Sequence, residues 1–291
     1  MKKLILLLAT AFICLSISAQ DDSVKIKRNK DTIRVGGIVI VKTGKGNKDK
    51  EVSVKIGPDN GKKKHKNIST NWWIVDLGFA NYNDKTNYAN AGSYLVNRPG
   101  FPALDKNDFK LKAGKSINVN LWFFMQRLNL IQQHVFLKYG LGIELNNYRY
   151  RSAINYNENG PVPYTANTQT NAPFIFGDSI SFSKNKLAAD YVTVPVMLNF
   201  VTNPEERKKG FSLSLGVSAG YLYSQRNKQV SSERGKLKNK GNYDLERFKF
   251  SYIAELGLGP VLLYGSYSPK SIYERSLDVR PYNIGFRLSY W

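Results

Sequence analysis

Six charged side chains sit where charge is least expected, inside runs of strictly alternating apolar residues. Lys138 and Glu144 lie in FLKYGLGIELNNYRYR (136–151), Asp76 in WWIVDLGFANY (72–82), Lys249 and Glu255 in FKFSYIAEL (248–256), and Arg287 in YNIGFRLSYW (282–291). Three acids and three bases on the polar faces of extended segments suit mutual ion pairing, because an isolated buried charge costs several kcal/mol. The same set could also line a narrow polar channel or handle protons. Residues for other chemistry are scarce. His65 lies in the solvated run KKKHKN, and His134 follows a short turn. Neither has a second histidine or an acid at metal-ligand or triad spacing. GKG at Gly44–Gly46 lacks the third glycine and the strand–helix setting of a nucleotide loop. No catalytic residue, metal ligand or cofactor site is assigned, and the chain reads as non-enzymatic.

The elements that carry the six charges are strands. Alternation with a period of two gives each segment two unlike faces. In the third segment Leu137, Tyr139, Leu141, Ile143 and Leu145 alternate with Lys138, Gly140, Gly142, Glu144 and Asn146. SINVNLWFFMQ (116–126) sets Ile117, Val119, Leu121, Phe123 and Met125 against Asn118, Asn120, Trp122, Phe124 and Gln126. DYVTVPVMLNF (190–200), FSLSLGVSAGYLY (211–223) and VLLYGSYS (261–268) complete eight such segments, the last apolar on both faces. Most are near the roughly 9–11 residues of a tilted membrane-spanning strand rather than the usual five or six. Long links at 82–115, 150–188, 225–246 and 269–280 alternate with short ones near 129–133, 202–209 and 257–260. That sorting predicts an all-β, eight-stranded antiparallel up-and-down transmembrane barrel, apolar face outward, in the bacterial outer membrane. Pro195 has no N–H for the ladder, so a bulge or an irregular neighbour is expected there.

The rest of the chain fits export. MKKLILLLATAFICLSISAQ has the layout of a cleaved secretory signal over residues 1–19, and the one cysteine, Cys14, lies inside it. The mature chain is therefore expected to have no thiol chemistry. Residues 20–71 read as a basic periplasmic extension, partly disordered, with a hairpin from RVGGIVIV and EVSVKI; 72–291 form the barrel. The formal charge is +21. Because the cations are spread over the extension and the external loops of an exported chain, a nucleic-acid partner is excluded.

Eight strands enclose an interior just wide enough for side chains. Asp76, Lys138, Glu144, Lys249, Glu255 and Arg287 are thus expected to fill it as a charge network. Trp72, Trp73, Tyr82, Tyr148, Tyr150, Tyr221, Tyr223 and Trp291 are expected as interfacial aromatics. The loop carrying Arg226, Lys228, Arg234, Lys236, Lys238 and Lys240 reads as an external basic surface near lipid and lipopolysaccharide.

With the strands laid out, the sequence resembles the PorT-like outer-membrane β-barrel family of Gram-negative bacteria. The resemblance rests on Ser18-Ala19-Gln20, Lys138–Tyr150, the Y-x-x-V-P-V-x-L element at Tyr191–Leu198, YGSYS at Tyr264–Ser268 and the terminal Asn283–Trp291. It implies a barrel over roughly 71–291 and no catalytic residues. The aromatic last residue looks like the signal read by the barrel-insertion machinery, and one class of the family serves protein secretion. The reading is a non-catalytic barrel with a structural or accessory role. Its alternatives are a component of a secretion or envelope-assembly complex, with envelope proteins as partners, and a surface receptor for an anionic glycan.

Overall fold

The computed structural model describes residues 67–204, 210–275 and 277–288, and the backbone of three short strands nearer the N-terminus. The proposed signal, Cys14, Gly44–Gly46, His65 and Trp291 lie outside the described residues. The chain divides into two compact units, 1–64 and 65–291. In the first, Thr32–Val35, Ile38–Thr43 and Glu51–Ile56 pair in sequence as an antiparallel three-stranded meander.

The second unit is built on eight strands: β1 Ile68–Asp84, β2 Ile117–Ile131, β3 Val135–Arg149, β4 Lys184–Val201, β5 Phe211–Ser231, β6 Phe248–Leu258, β7 Val261–Tyr267 and β8 Val279–Leu288. Each pairs antiparallel with the next, and β8 returns to pair with β1 from Val279↔Asp84 to Leu288↔Val75. The ring is therefore closed, and none of the eight is left with a bare edge. Among the described residues there is no α-helix.

Side-chain parity follows the sequence closely in β3, where Phe136, Lys138, Gly140, Gly142, Glu144, Asn146 and Tyr148 all point inward. It switches in β1 and β2. Trp73 takes a positive φ of 56°, and Phe123 is an extra residue against β3, between Trp122 and Phe124. The two irregular residues stand opposite each other, flanked by the pairs Trp72↔Phe124 and Ile74↔Trp122. Their rings pack edge to face at 5.8 Å, and Trp72 packs on Phe124 at 5.9 Å. Beyond this point inside and outside exchange. Met125, expected outside, is fully buried in the lumen; Phe124, expected inside, is on the outer wall, and Gln126 bonds there to Thr70 and Tyr139.

At Pro195 the ladder to β3 is interrupted, as expected, but without a bulge. Pairing of β4 with β3 stops at Thr193↔Gly142 and resumes at Val196↔Tyr139 in unchanged register. The true register shift lies between Asp190 and Tyr191, where β5 carries Tyr223 as its extra residue. Proline's missing N–H interrupts a ladder, but it does not by itself add a residue to a strand.

Four large inward side chains each face a glycine on a neighbouring strand: Trp122↔Gly142, Met125↔Gly140, Met197↔Gly216 and Tyr264↔Gly285. A Cβ on Gly142 would lie 2.6 Å from both the Leu121 carbonyl oxygen and the Trp122 ring. On Gly265, by contrast, the nearest atom would be 3.7 Å away. Gly142→Ala is therefore expected to lose about 1–3 kcal/mol, as overpacked cores do. Gly265→Ala should leave stability unchanged. Urea midpoints of the folded barrel in detergent micelles check both.

Candidate functional site

All six charges read from the sequence meet inside the barrel. Arg287 grips Asp76 with two parallel bonds, Nε to Oδ1 at 2.7 Å and Nη2 to Oδ2 at 2.9 Å. Its Nη1 reaches Glu255, whose other oxygen accepts from Lys138 and from Ser214 Oγ. Lys249 donates to Glu144 on the far side of the lumen. Asparagine amides join the two halves. Asn120 Nδ2 donates to Asp76 at 3.2 Å, Asn118 Nδ2 to Asn120 Oδ1 and Asn146 Oδ1, and Asn146 Nδ2 to Glu144. Trp122 Nε1 adds a 2.7 Å bond to Asp76 Oδ2, and Tyr264 donates to Asn118.

The result is one continuous polar chain from Lys138 to Lys249, with every carboxylate of the set held by a cation and by at least one neutral donor. Fixed pairing of this kind is what low-dielectric surroundings demand of buried charge. It leaves little space. The void bounded by Asp76, Trp122, Glu144, Met197, Glu255 and Arg287 is about 30 Å³, room for no more than a water or two. A seventh inward charge, Arg127, stacks on Phe136 at 4.8 Å toward the short-turn end. The reading of β2 as regular missed it, because its parity changes at Phe123.

At the other end the four long links fold together rather than spreading. Phe174–Gly177 pairs antiparallel with Ile154–Asn157 and parallel with Leu95–Val96. Side chains from all four links, among them Tyr94, Phe109, Tyr156, Ile175, Tyr243 and Tyr273, pack in one core over the mouth of the barrel. Tyr156 donates to Tyr150 at 2.7 Å and lies 2.8 Å from the Tyr273 hydroxyl, while Tyr94 donates to the Tyr243 carbonyl. Burial raises the phenols of Tyr156 and Tyr273 well above their usual range, so they stay protonated. Tyr82, Tyr148 and Tyr150, expected as interfacial aromatics, belong to this core or pack against it; Tyr148 is 1% exposed. Their even numbering, shared with Asp76, Glu144 and Asn146, is the sequence signal that places them inside.

The family model described as "Outer membrane protein beta-barrel domain" matches residues 75–269. The chain belongs to this family. Among solved structures, Ail, the attachment invasion locus protein of Yersinia pestis, matches 77% of this chain and 100% of its own at 12% identity, with a TM-score of 0.31. No curated protein matches the sequence.

The protein is thus a barrel of the bacterial outer membrane. The exposed rows Val192–Phe200 of β4, Phe211–Tyr223 of β5 and Ile284–Leu288 of β8 are its lipid-facing wall. Trp72 and Trp73 are 63% and 66% exposed on that wall, and Tyr221 and Tyr223 are also outward, as interfacial aromatics require. In outer-membrane barrels generally, short turns face the periplasm and long links, here the packed cap, face outside. His134, at the short β2–β3 turn, has its Nδ1 2.9 Å from the Val201 carbonyl oxygen. Two of the six external cations are already engaged: Arg226 with Asp190, and Arg234 with Asp178 at 2.7 Å. Lys236, Lys238 and Lys240 lie on the strand Gly235–Lys240, which extends β5 into a hairpin.

Removing one partner of a buried pair strands the other. Lys249→Met is expected to cost about 3–5 kcal/mol, whereas Lys249→Met with Glu144→Gln should recover most of it. Urea unfolding followed by tryptophan fluorescence measures both.

Proposed function

We propose that this outer-membrane barrel is non-catalytic and non-conducting, with a structural or accessory role exercised through its folded outer surface. The observation that carries this reading is the lumen network: three acids and three bases cross-linked through asparagine amides around a void of about 30 Å³. Packing of this kind around so small a void supports a lumen closed to hydrated ions. The aromatic core formed by the four long links lies over the same axis and supports the reading from outside.

The chemistry of the interior supports it too. Each carboxylate that could act as a general base is held by Arg287, Lys138 or Lys249, and a general base must be within reach of a substrate proton. The PorT-like resemblance of Lys138–Tyr150 and Tyr191–Leu198 supports an accessory role in the cell envelope. Under this reading the protein's product is a rigid external surface, with the lumen as its anchor.

The expected result in planar bilayers is no stable conducting state for the full chain. Steady openings of uniform size would overturn the reading. A variant with Arg287, Asp76 and Glu255 replaced by alanine, if it folds, should gain measurable leak.

A further inference from the structure

Eight cations share one face of the sheet just above the lipid-facing wall, and the strand pairing arranges them in rows. Arg149, Lys186, Lys228 and Lys238 occupy directly paired positions on β3, β4, β5 and the strand Gly235–Lys240. Neighbouring strands lie about 4.8 Å apart, so four cationic side chains rise from adjacent positions in one line. Lys184 and Lys236 both flank Val230 in the row farther out, and Arg226 is paired with Lys240 in the row nearer the membrane. The pleat puts all eight outward, since Asn227, Gln229 and Ser231 between them are buried. Asp190 is the one acid on this face of β4, and Arg226 takes it. Lys186 donates to Asn147 and Arg149 to the Ser183 carbonyl, neither of which neutralises charge.

Like charges directly opposite one another destabilise a sheet. Burial and the neighbouring Lys184, Lys228 and Arg226 push the Lys186 ammonium down to about 8, and Lys236 and Lys184 lower that of Lys228. The face is therefore in electrostatic deficit unless an anion lies on it. Its position says which anion. The same outward face of β5 continues downward through Tyr223 and Tyr221, and that of β4 through Val192 and Val194, all exposed to lipid. Lys228 is only five residues beyond Tyr223. Anything touching this row stands beside the outer end of the lipid-facing wall.

We infer that Arg149, Lys186, Lys228 and Lys238 form a binding face for the phosphate groups of phosphorylated glycolipid in the outer leaflet. The ammonium groups neutralise the phosphates, while the acyl chains run down the wall past Val192 and Tyr221. This inference needs only the barrel's seat in the membrane and stands or falls separately from a closed lumen.

The test uses the full chain folded in neutral detergent micelles, with fluorescently labelled bis-phosphorylated lipid A as probe and its dephosphorylated form as comparison. A heat-modifiable shift on electrophoresis establishes that each variant is folded. Lys186→Gln, Lys228→Gln and Lys238→Gln together should weaken lipid A binding by at least about tenfold, given the usual contribution of each basic residue at a charged membrane. Lys106, Lys110 and Lys115, exposed on another link, serve as the control; changing all three to glutamine should leave binding as it was. The wild type should bind the dephosphorylated lipid as weakly as the triple variant binds lipid A. Unchanged binding by the triple variant, or an equal loss in the control, would overturn the inference, as would displacement of lipid A by millimolar inorganic phosphate. Should the triple variant not fold, Lys228→Gln alone is read instead, with an expected loss of about fivefold.

Discussion

Asp76 and Arg287 stand directly opposite each other on the first and last strands, where the sheet must close. In hydrocarbon an open edge would leave a row of unsatisfied N–H and C=O groups, so closure decides whether this chain has a structure at all. The seam is formed by residues 211 positions apart in sequence. A two-pronged guanidinium–carboxylate bond spans it on the inner face, and Glu255 and Trp122 brace that bond from β6 and β2. Such a pair gives geometric selectivity as well as attraction, because only one register brings the two planes together. A slip of one residue at the seam would turn one of the two charges into lipid and strand the other.

Once the ring is closed, its interior must be filled, and two devices share that work. Charges of both signs occupy the middle, linked by asparagine. Around them, large side chains nest against glycines on adjacent strands, as Trp122 does on Gly142 and Met197 on Gly216. The glycines that read as merely small residues on the polar face are shaped spaces for particular neighbours. The outer wall obeys a different rule, needing only apolar surface of any shape, and it is correspondingly plain: valine, leucine and phenylalanine in rows.

This difference explains what could be read from the sequence. The eight strands and the six lumen charges follow from a period of two, and parity alone separates Lys138 and Glu144 from Leu137 and Ile143. Parity also assigns Tyr82, Tyr148 and Tyr150 to the interior, although aromatic residues near strand ends invite the interfacial reading. The paired irregularities at Trp73 and Phe123 have no such mark, since nothing in W-W or F-F announces a positive φ. They reverse the assignment of Phe124 and Met125 and bring Arg127 inside. The cationic face was partly hidden because Lys184 and Lys186 precede the apolar run of β4, and Lys236, Lys238 and Lys240 fall in what reads as a loop. Their own alternation, K-N-K and K-L-K-N-K, was the strand signal.

The cap gathers side chains from four links that lie far apart along the chain, so its surface has no counterpart in any single peptide. For an antibody, a bacteriophage or a neighbouring cell, this bacterium would display a conformational epitope that vanishes on denaturation. Linear peptides copied from 150–188 or 225–246 would make poor immunogens against it. Sequence drift in one link would also be checked by the other three, which slows the escape that free loops allow.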